Sequence, residues 1–168
     1  FKRKKNFEVL LPMMKFFPDH QLIIAGENDT SYGQFLRQKV NELGIGHQVV
    51  FPGKVADDDK DWLYNHCEAL MMPSMAEGFG LPVIEAMMAE KPVFLNPISS
   101  LQEVGGSFAC YFDGFESEAM AQQVSTQLVE FETLKKHDPN RLKTYANRFN
   151  WETCIFHYLT LYADLLKR

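Results

Sequence analysis

Pro73-Ser-Met-Ala-Glu77-Gly78-Phe-Gly80-Leu81-Pro82-Val-Ile-Glu85-Ala86 lies between an apolar run ending in Leu70, Met71 and Met72 and the helix-compatible stretch Val-Ile-Glu-Ala-Met-Met. A short apolar run bounded by turn residues reads as a buried strand, and proline is favoured in a first helical turn. The segment is therefore strand, loop and helix, with Ser74 to Leu81 as the loop.

The residue types in that loop suit a particular chemistry. Gly78 and Gly80 allow positive φ and a close approach of ligand to the main chain. Unpaired N–H groups at the helix start, together with the helix dipole, favour a phosphate. Glu77 before the turn and Glu85 inside the helix are acceptors for the hydroxyls of a sugar or ribose. Taken singly each has an ordinary structural reading, as a dipole-complementing or capping glutamate and as a tight Gly-Phe-Gly turn. The joint pattern points to a nucleotide-sugar site.

Outward from this segment, five short apolar runs recur: 21–26, 48–53, 69–73, 92–96 and 109–113. Between them lie helical patterns at about 6–17, 31–43, 57–67, 82–89 and 99–104, and strand–helix alternation predicts an open parallel sheet with helices on both faces, a Rossmann-like α/β fold. Asn6 and Ser31 are expected to cap the first two helices, and Gly44 to end the second. Pro12 is expected to kink or shorten the first helix. Beyond residue 115 only helical patterns remain, at 115–136, 138–148 and 151–167, so the chain should finish in a helical tail. The stripe Ile155, Leu159, Tyr162 and Leu166 in its last helix has core-facing periodicity. Ligands of open α/β sheets bind beyond the C-terminal strand ends, where Val55, Glu77, Glu85 and Ser99 can converge.

Composition narrows the class. With 168 residues, 46% of them apolar, and no low-complexity tract, the chain is expected to be one domain, 1–168. A formal charge of −5 argues against general nucleic-acid binding, although Lys2-Arg-Lys-Lys5 is a local basic cluster. Cys67, Cys110 and Cys154 are isolated, and the five histidines show no ligand spacing, which disfavours a disulfide framework and a zinc site and fits a reducing, cytoplasmic setting. No apolar run approaches the ~18 residues of a membrane span, so at most peripheral membrane association is expected. Asp57-Asp-Asp contains a D-x-D, a metal-binding pattern elsewhere, but three acids before Trp62-Leu-Tyr suit a helix N-cap and first turn, and no metal is expected.

The segment also resembles the E-x7-E signature of the group 1, or family 4, retaining glycosyltransferases of GT-B fold. Pro73-Ser74, Glu77-Gly-Phe-Gly-Leu-Pro, Glu85-Ala-Met, Lys91-Pro-Val and Ser99-Ser-Leu-Gln-Glu-Val-Gly-Gly stand in register with that pattern, Lys4-Lys5-Asn6 is similar to its R-x-K-N region, and Val49-Val-Phe-Pro-Gly53-Lys-Val55 to its V-x-F-x-G-x-V element. The resemblance implies a C-terminal donor-binding domain, with the acceptor domain N-terminal to Phe1 and absent. It implies Lys5 on the donor diphosphate and Val55 against the nucleobase. Glu77 would serve the transferred sugar as the catalytic carboxylate, Gly78, Phe79, Gly80 and Leu81 would give backbone contacts, and Glu85 would hold the ribose. It further implies a nucleotide-diphospho-sugar substrate, no cofactor, and a glycan or lipid-linked acceptor. The run from Pro92 to Asp113 is most similar to bacterial members that build lipopolysaccharide, several of which use GDP-mannose. A GT-B-like sugar-nucleotide epimerase and a noncatalytic α/β interaction domain are the alternatives.

Overall fold

The computed structural model describes residues 1–167, apart from the side chain of Ser99. All five expected strands form: β1 (Leu22–Ala25), β2 (Val49–Gly53), β3 (Leu70–Met72), β4 (Val93–Leu95) and β5 (Cys110–Tyr111). Every pairing is parallel, in two hydrogen-bonded sets, β1–β2 and β3–β4–β5. Ile24 of β1 shares a core with Met71 of β3 and Phe94 of β4, so side chains connect the two sets.

β4 shows how the layers arise. All three of its residues are buried, as expected for a parallel strand covered on both faces. Strand alternation sends Phe94 into one core and Val93 and Leu95 into the other. The first core holds Leu10, Leu11 and Met13 of α1 (Leu10–Met13), Leu36 and Val40 of α2 (Ser31–Leu43), and Met120 and Val124 of α6 (Ser117–His137). The second holds Val83 and Met87 of α4 (Leu81–Met88), Leu101 and Val104 of α5 (Ser99–Gly105), and Leu142 and Ala146 of α7 (Arg141–Ala146). This is the open α/β architecture with helices on both faces. α3 (Asp57–His66), which has no fully buried residue, joins β2 to β3.

Local details depart from expectation where two groups compete for one role. Thr30 rather than Ser31 caps α2, its Oγ1 accepting from Gly33 N at 3.0 Å. Asn6 does stand at the N-cap position of the 3-10 turn Phe7–Val9, but with a left-handed backbone, φ 55°, and no capping hydrogen bond from its side chain. Pro12 sits in a four-residue α1 flanked on both sides by 3-10 turns, so the expected long helix is broken up. Gly44 does end α2 with φ 70°. The acids Asp57, Asp58 and Asp59 occupy the first turn of α3, where they complement its dipole, but the N-cap is Ala56.

The tail differs most. α8 (Trp151–Leu166) is capped by Asn150, whose Oδ1 accepts from Thr153 N at 2.8 Å, yet none of its residues is buried. Ile155, Leu159, Tyr162 and Leu166 are all exposed, not core. Periodicity identified the shared face, but no element buries it among the described residues. No described helix is long and apolar enough to cross a membrane.

Gly33 shows how tightly α2 sits on the loop after β1. A Cβ there would run into the backbone oxygen of Asn28. Gly33→Ala is expected to cost about 1–3 kcal/mol despite alanine's better helix propensity, because main chain must move. Gly46→Ala, which meets nothing within 4 Å, should stay within about 0.5 kcal/mol of the parent in denaturant unfolding.

Candidate functional site

The β3–α4 loop is fixed from three directions. From the N-terminal segment, Lys4 O accepts from Met75 N at 2.7 Å, and Asn6 Nδ2 donates to Pro73 O at 3.2 Å. From the β4–α5 loop, Asn96 Nδ2 donates to Ser74 O at 3.0 Å, and Ser100 Oγ to Glu77 O at 3.1 Å. Within the loop, Gly80 adopts φ 109°, a conformation that favours glycine, and is the N-cap of α4. A Cβ there would also come within 3.0 Å of Leu101 Cδ2.

The side chains meet across this frame. Lys5 Nζ donates to Glu77 Oε1 at 2.7 Å, although the residues are 72 apart in sequence. The Glu77 side chain is only 10% exposed and that of Lys5 32%. Burial pushes the Glu77 carboxyl up, but the bond from Lys5, the Ser74 hydroxyl and the charges of Lys5 and Lys4 outweigh it, so the net shift is downward and the group stays ionised. Ser74 Oγ is fully buried; it biases Glu77 toward the charged form but has no partner at hydrogen-bond distance among the described groups.

Glu85 belongs to a second constellation. Lys60 Nζ donates to its Oε1 at 3.0 Å and Tyr64 Oη to its Oε2 at 2.9 Å, both from α3. Burial, then the negative charge of Glu85, raise the Tyr64 phenol well above its ordinary value, so it remains a donor. Glu85 and Tyr64 line an open depression of about 290 Å³ with Asp61, Asn65, Ile84, Met88 and Ala89.

The structure thus brings Lys5 and Glu77 together at the start of α4. Gly78, Phe79 and Leu81 are exposed around them, and Gly80 is buried at the turn into α4. Glu85 lies one turn into α4, and Val55 in the β2–α3 loop, half-buried. The two carboxylates do not line one enclosed cavity. Each is ion-paired, Glu77 with the N-terminal segment and Glu85 with α3. The Ser99 side chain lies outside the described residues, whereas Ser100 does reach the loop.

Sequence reading missed Lys60, Tyr64, Asn96 and Ser100. Lys60 and Tyr64 stand at i, i+4 on a foreseen helix and so share a face, which is the signal that could have paired them with a carboxylate. No three His, Cys, Asp or Glu side chains among the described residues group as a metal site. Burial pushes the Cys110 thiol up to about 11, which makes it a poor nucleophile.

Comparison with known proteins bears on the whole chain. Residues 1–149 match the family described as glycosyl transferases group 1. The chain is 31% identical to O-antigen chain mannosyltransferase B of Escherichia coli over 171 residues, covering 96% of this chain and 43% of that protein. It is 34% identical to O-antigen chain mannosyltransferase RfbU of Salmonella typhimurium over 107 residues, covering 64% of this chain and 30% of that protein. Its fold superposes on sucrose-phosphate synthase from Thermosynechococcus elongatus with a TM-score of 0.82 and 26% identity, covering 99% of this chain and 43% of that one. The chain spans less than half the length of each.

The Lys5–Glu77 pair makes a stability prediction whose sign can be worked out. A carboxyl whose folded pKa is depressed adds stability above its unfolded pKa and loses it as pH falls through the folded value. Lys5→Met should therefore cost about 1–3 kcal/mol at neutral pH, because the largely buried Glu77 charge loses its partner. In urea unfolding, the gap from the parent should shrink on acidification below 4.5, the ordinary value for this group.

Proposed function

The chain belongs to the group 1 glycosyl transferases, and from that premise we propose that it is the donor-binding domain of a metal-independent, retaining GT-B glycosyltransferase. The observation that carries this reading is the Lys5–Glu77 pair at the N-terminus of α4. It places a cation, a carboxylate and a helix start together in the loop that bears the E-x7-E pattern.

Transfer from a nucleotide-diphospho-sugar breaks the bond between the sugar's anomeric carbon and the diphosphate. Negative charge grows on the departing diphosphate while the sugar gains oxocarbenium character. The Lys5 ammonium has three donors and one is spent on Glu77, so two remain for phosphate oxygens. In the first turn of α4, Pro82 carries no N–H and Val83 N donates to Gly80 O at 2.9 Å, so the helix start offers an anion chiefly the positive end of its dipole. Preorganised positive potential of this kind stabilises the leaving group. Glu77 Oε2 is left over from the lysine contact and accepts from a hydroxyl of the transferred sugar, and its charge supports the cationic sugar carbon. Glu85 takes the ribose hydroxyls, Val55 lies against the base, and the backbone of Gly78, Phe79, Gly80 and Leu81 follows the sugar and phosphates.

The similarity to O-antigen chain mannosyltransferases supports mannose as the transferred sugar, and we propose GDP-mannose as its donor and a lipopolysaccharide glycan as its acceptor. The acceptor would be held by a separate N-terminal domain, without a cofactor, in a cytoplasmic protein touching the membrane at most peripherally.

Saturation-transfer NMR of the whole protein against UDP-, GDP- and ADP-sugars tests the reading directly, with GDP-mannose expected to give the strongest signal. Absence of binding by every member of the panel would overturn it. Glu85→Ala is expected to weaken donor affinity about tenfold or more, since hydrogen bonds to a charged acceptor contribute about 1.5–3 kcal/mol. Glu77→Gln should lower kcat about 10²–10³-fold with a smaller change in KM, because its charge counts most in the transition state.

A further inference from the structure

Resting on the assignment of Glu85 to the ribose, we infer that Lys60 and Tyr64 of α3 are positioning residues that lock the Glu85 carboxylate into a two-point acceptor for a vicinal diol, and so make the site reject 2′-deoxyribonucleotides. The argument starts from lone pairs. An ionised carboxylate offers about four acceptor positions, two on each oxygen. Lys60 Nζ takes one on Oε1 at 3.0 Å, and Tyr64 Oη one on Oε2 at 2.9 Å. One position remains on each oxygen, and two adjacent hydroxyls on a five-membered ring are the donor pair that matches them.

Without the two donors the side chain could rotate. Glutamate on a helix surface has three flexible torsions, and the Glu85 side chain is 35% exposed. A mobile carboxylate can follow a single hydroxyl wherever it lies and bind ribose and deoxyribose almost alike. A fixed one cannot, because removing one hydroxyl leaves one oxygen with an unfilled position that the carboxylate cannot redirect. Sites built around hydrogen bonds to a substrate hydroxyl discriminate strongly against the analogue that lacks it. Lys60 is itself held, its Nζ lying 3.6 Å from Asp57 Oδ1 one turn earlier in α3. Tyr64 comes from the same face of α3, and its ring packs against the core beneath α4. The clamp therefore rests on α3, anchored to the second core through Tyr64.

The experiment is calorimetric titration of the whole protein with UDP, GDP and ADP, each against its 2′-deoxy form. The parent is expected to prefer the ribose form of its tightest ligand by about tenfold or more, one lost hydrogen bond to a charged group. Lys60→Met and Tyr64→Phe should each reduce that ratio several-fold, and the double variant should bring it near one. Lys60→Arg should keep the ratio, which a purely packing role for α3 would not require. If the parent and Glu85→Ala differ as the donor reading demands while Tyr64→Phe and Lys60→Met leave the ratio unchanged, the clamp is wrong and the donor site stands. If no diphosphate binds the parent, or Glu85→Ala binds it equally well, the ribose assignment fails and this inference with it.

Discussion

The ion pair between Lys5 and Glu77 is the contact on which the candidate site depends. A glutamate side chain only 10% exposed would be costly as a lone charge, and the pairing lysine comes from a segment that reaches the loop by way of Lys4 O and Asn6 Nδ2. The strap and the loop hold each other: the backbone contacts bring Lys5 within range, and the charge contact keeps Glu77 ionised and in place. The Lys5 side chain stays 32% exposed, so the pair is not sealed from solvent. The downward shift of the Glu77 carboxyl, against its own burial, shows which contribution wins.

Much of this was legible in the sequence. The five strands are short apolar runs between glycines, prolines and polar caps, and a buried parallel strand has little other way to be written. The β3–α4 loop was legible because glycine, proline and glutamate at those spacings have few structural uses in common. What failed had physical causes. Thr30 and Ser31 are adjacent hydroxyls, and only the backbone geometry decides which one reaches Gly33 N. Asn6 holds the N-cap position in a left-handed conformation, but its side-chain amide donates to Pro73 O instead of capping, a long-range contact that local sequence does not reveal. The Lys60–Glu85–Tyr64 cluster depends on how far α3 stands from α4, which no local pattern records.

α8 illustrates the same limit from the opposite side. Its apolar spacing is sound, yet Trp151 and Leu166, 80% and 88% exposed, mark the ends of a helix that rests on nothing in the described chain. Hydrophobic periodicity says which residues share a face. It is silent on what, if anything, covers that face, and exposed apolar surface of this extent is unusual for a surface in contact with water alone.

β4 has a consequence for how the molecule comes apart. Val93 and Leu95 belong to one half of the interior and Phe94 to the other, so three consecutive residues serve as a partition shared by both. Peeling away either helical layer lays bare one side of this strand and removes support from the other. Melting is then expected to be concerted, with amide protons of Val93 to Leu95 among the last to exchange with solvent, since the slowest exchange reports elements released only in global opening.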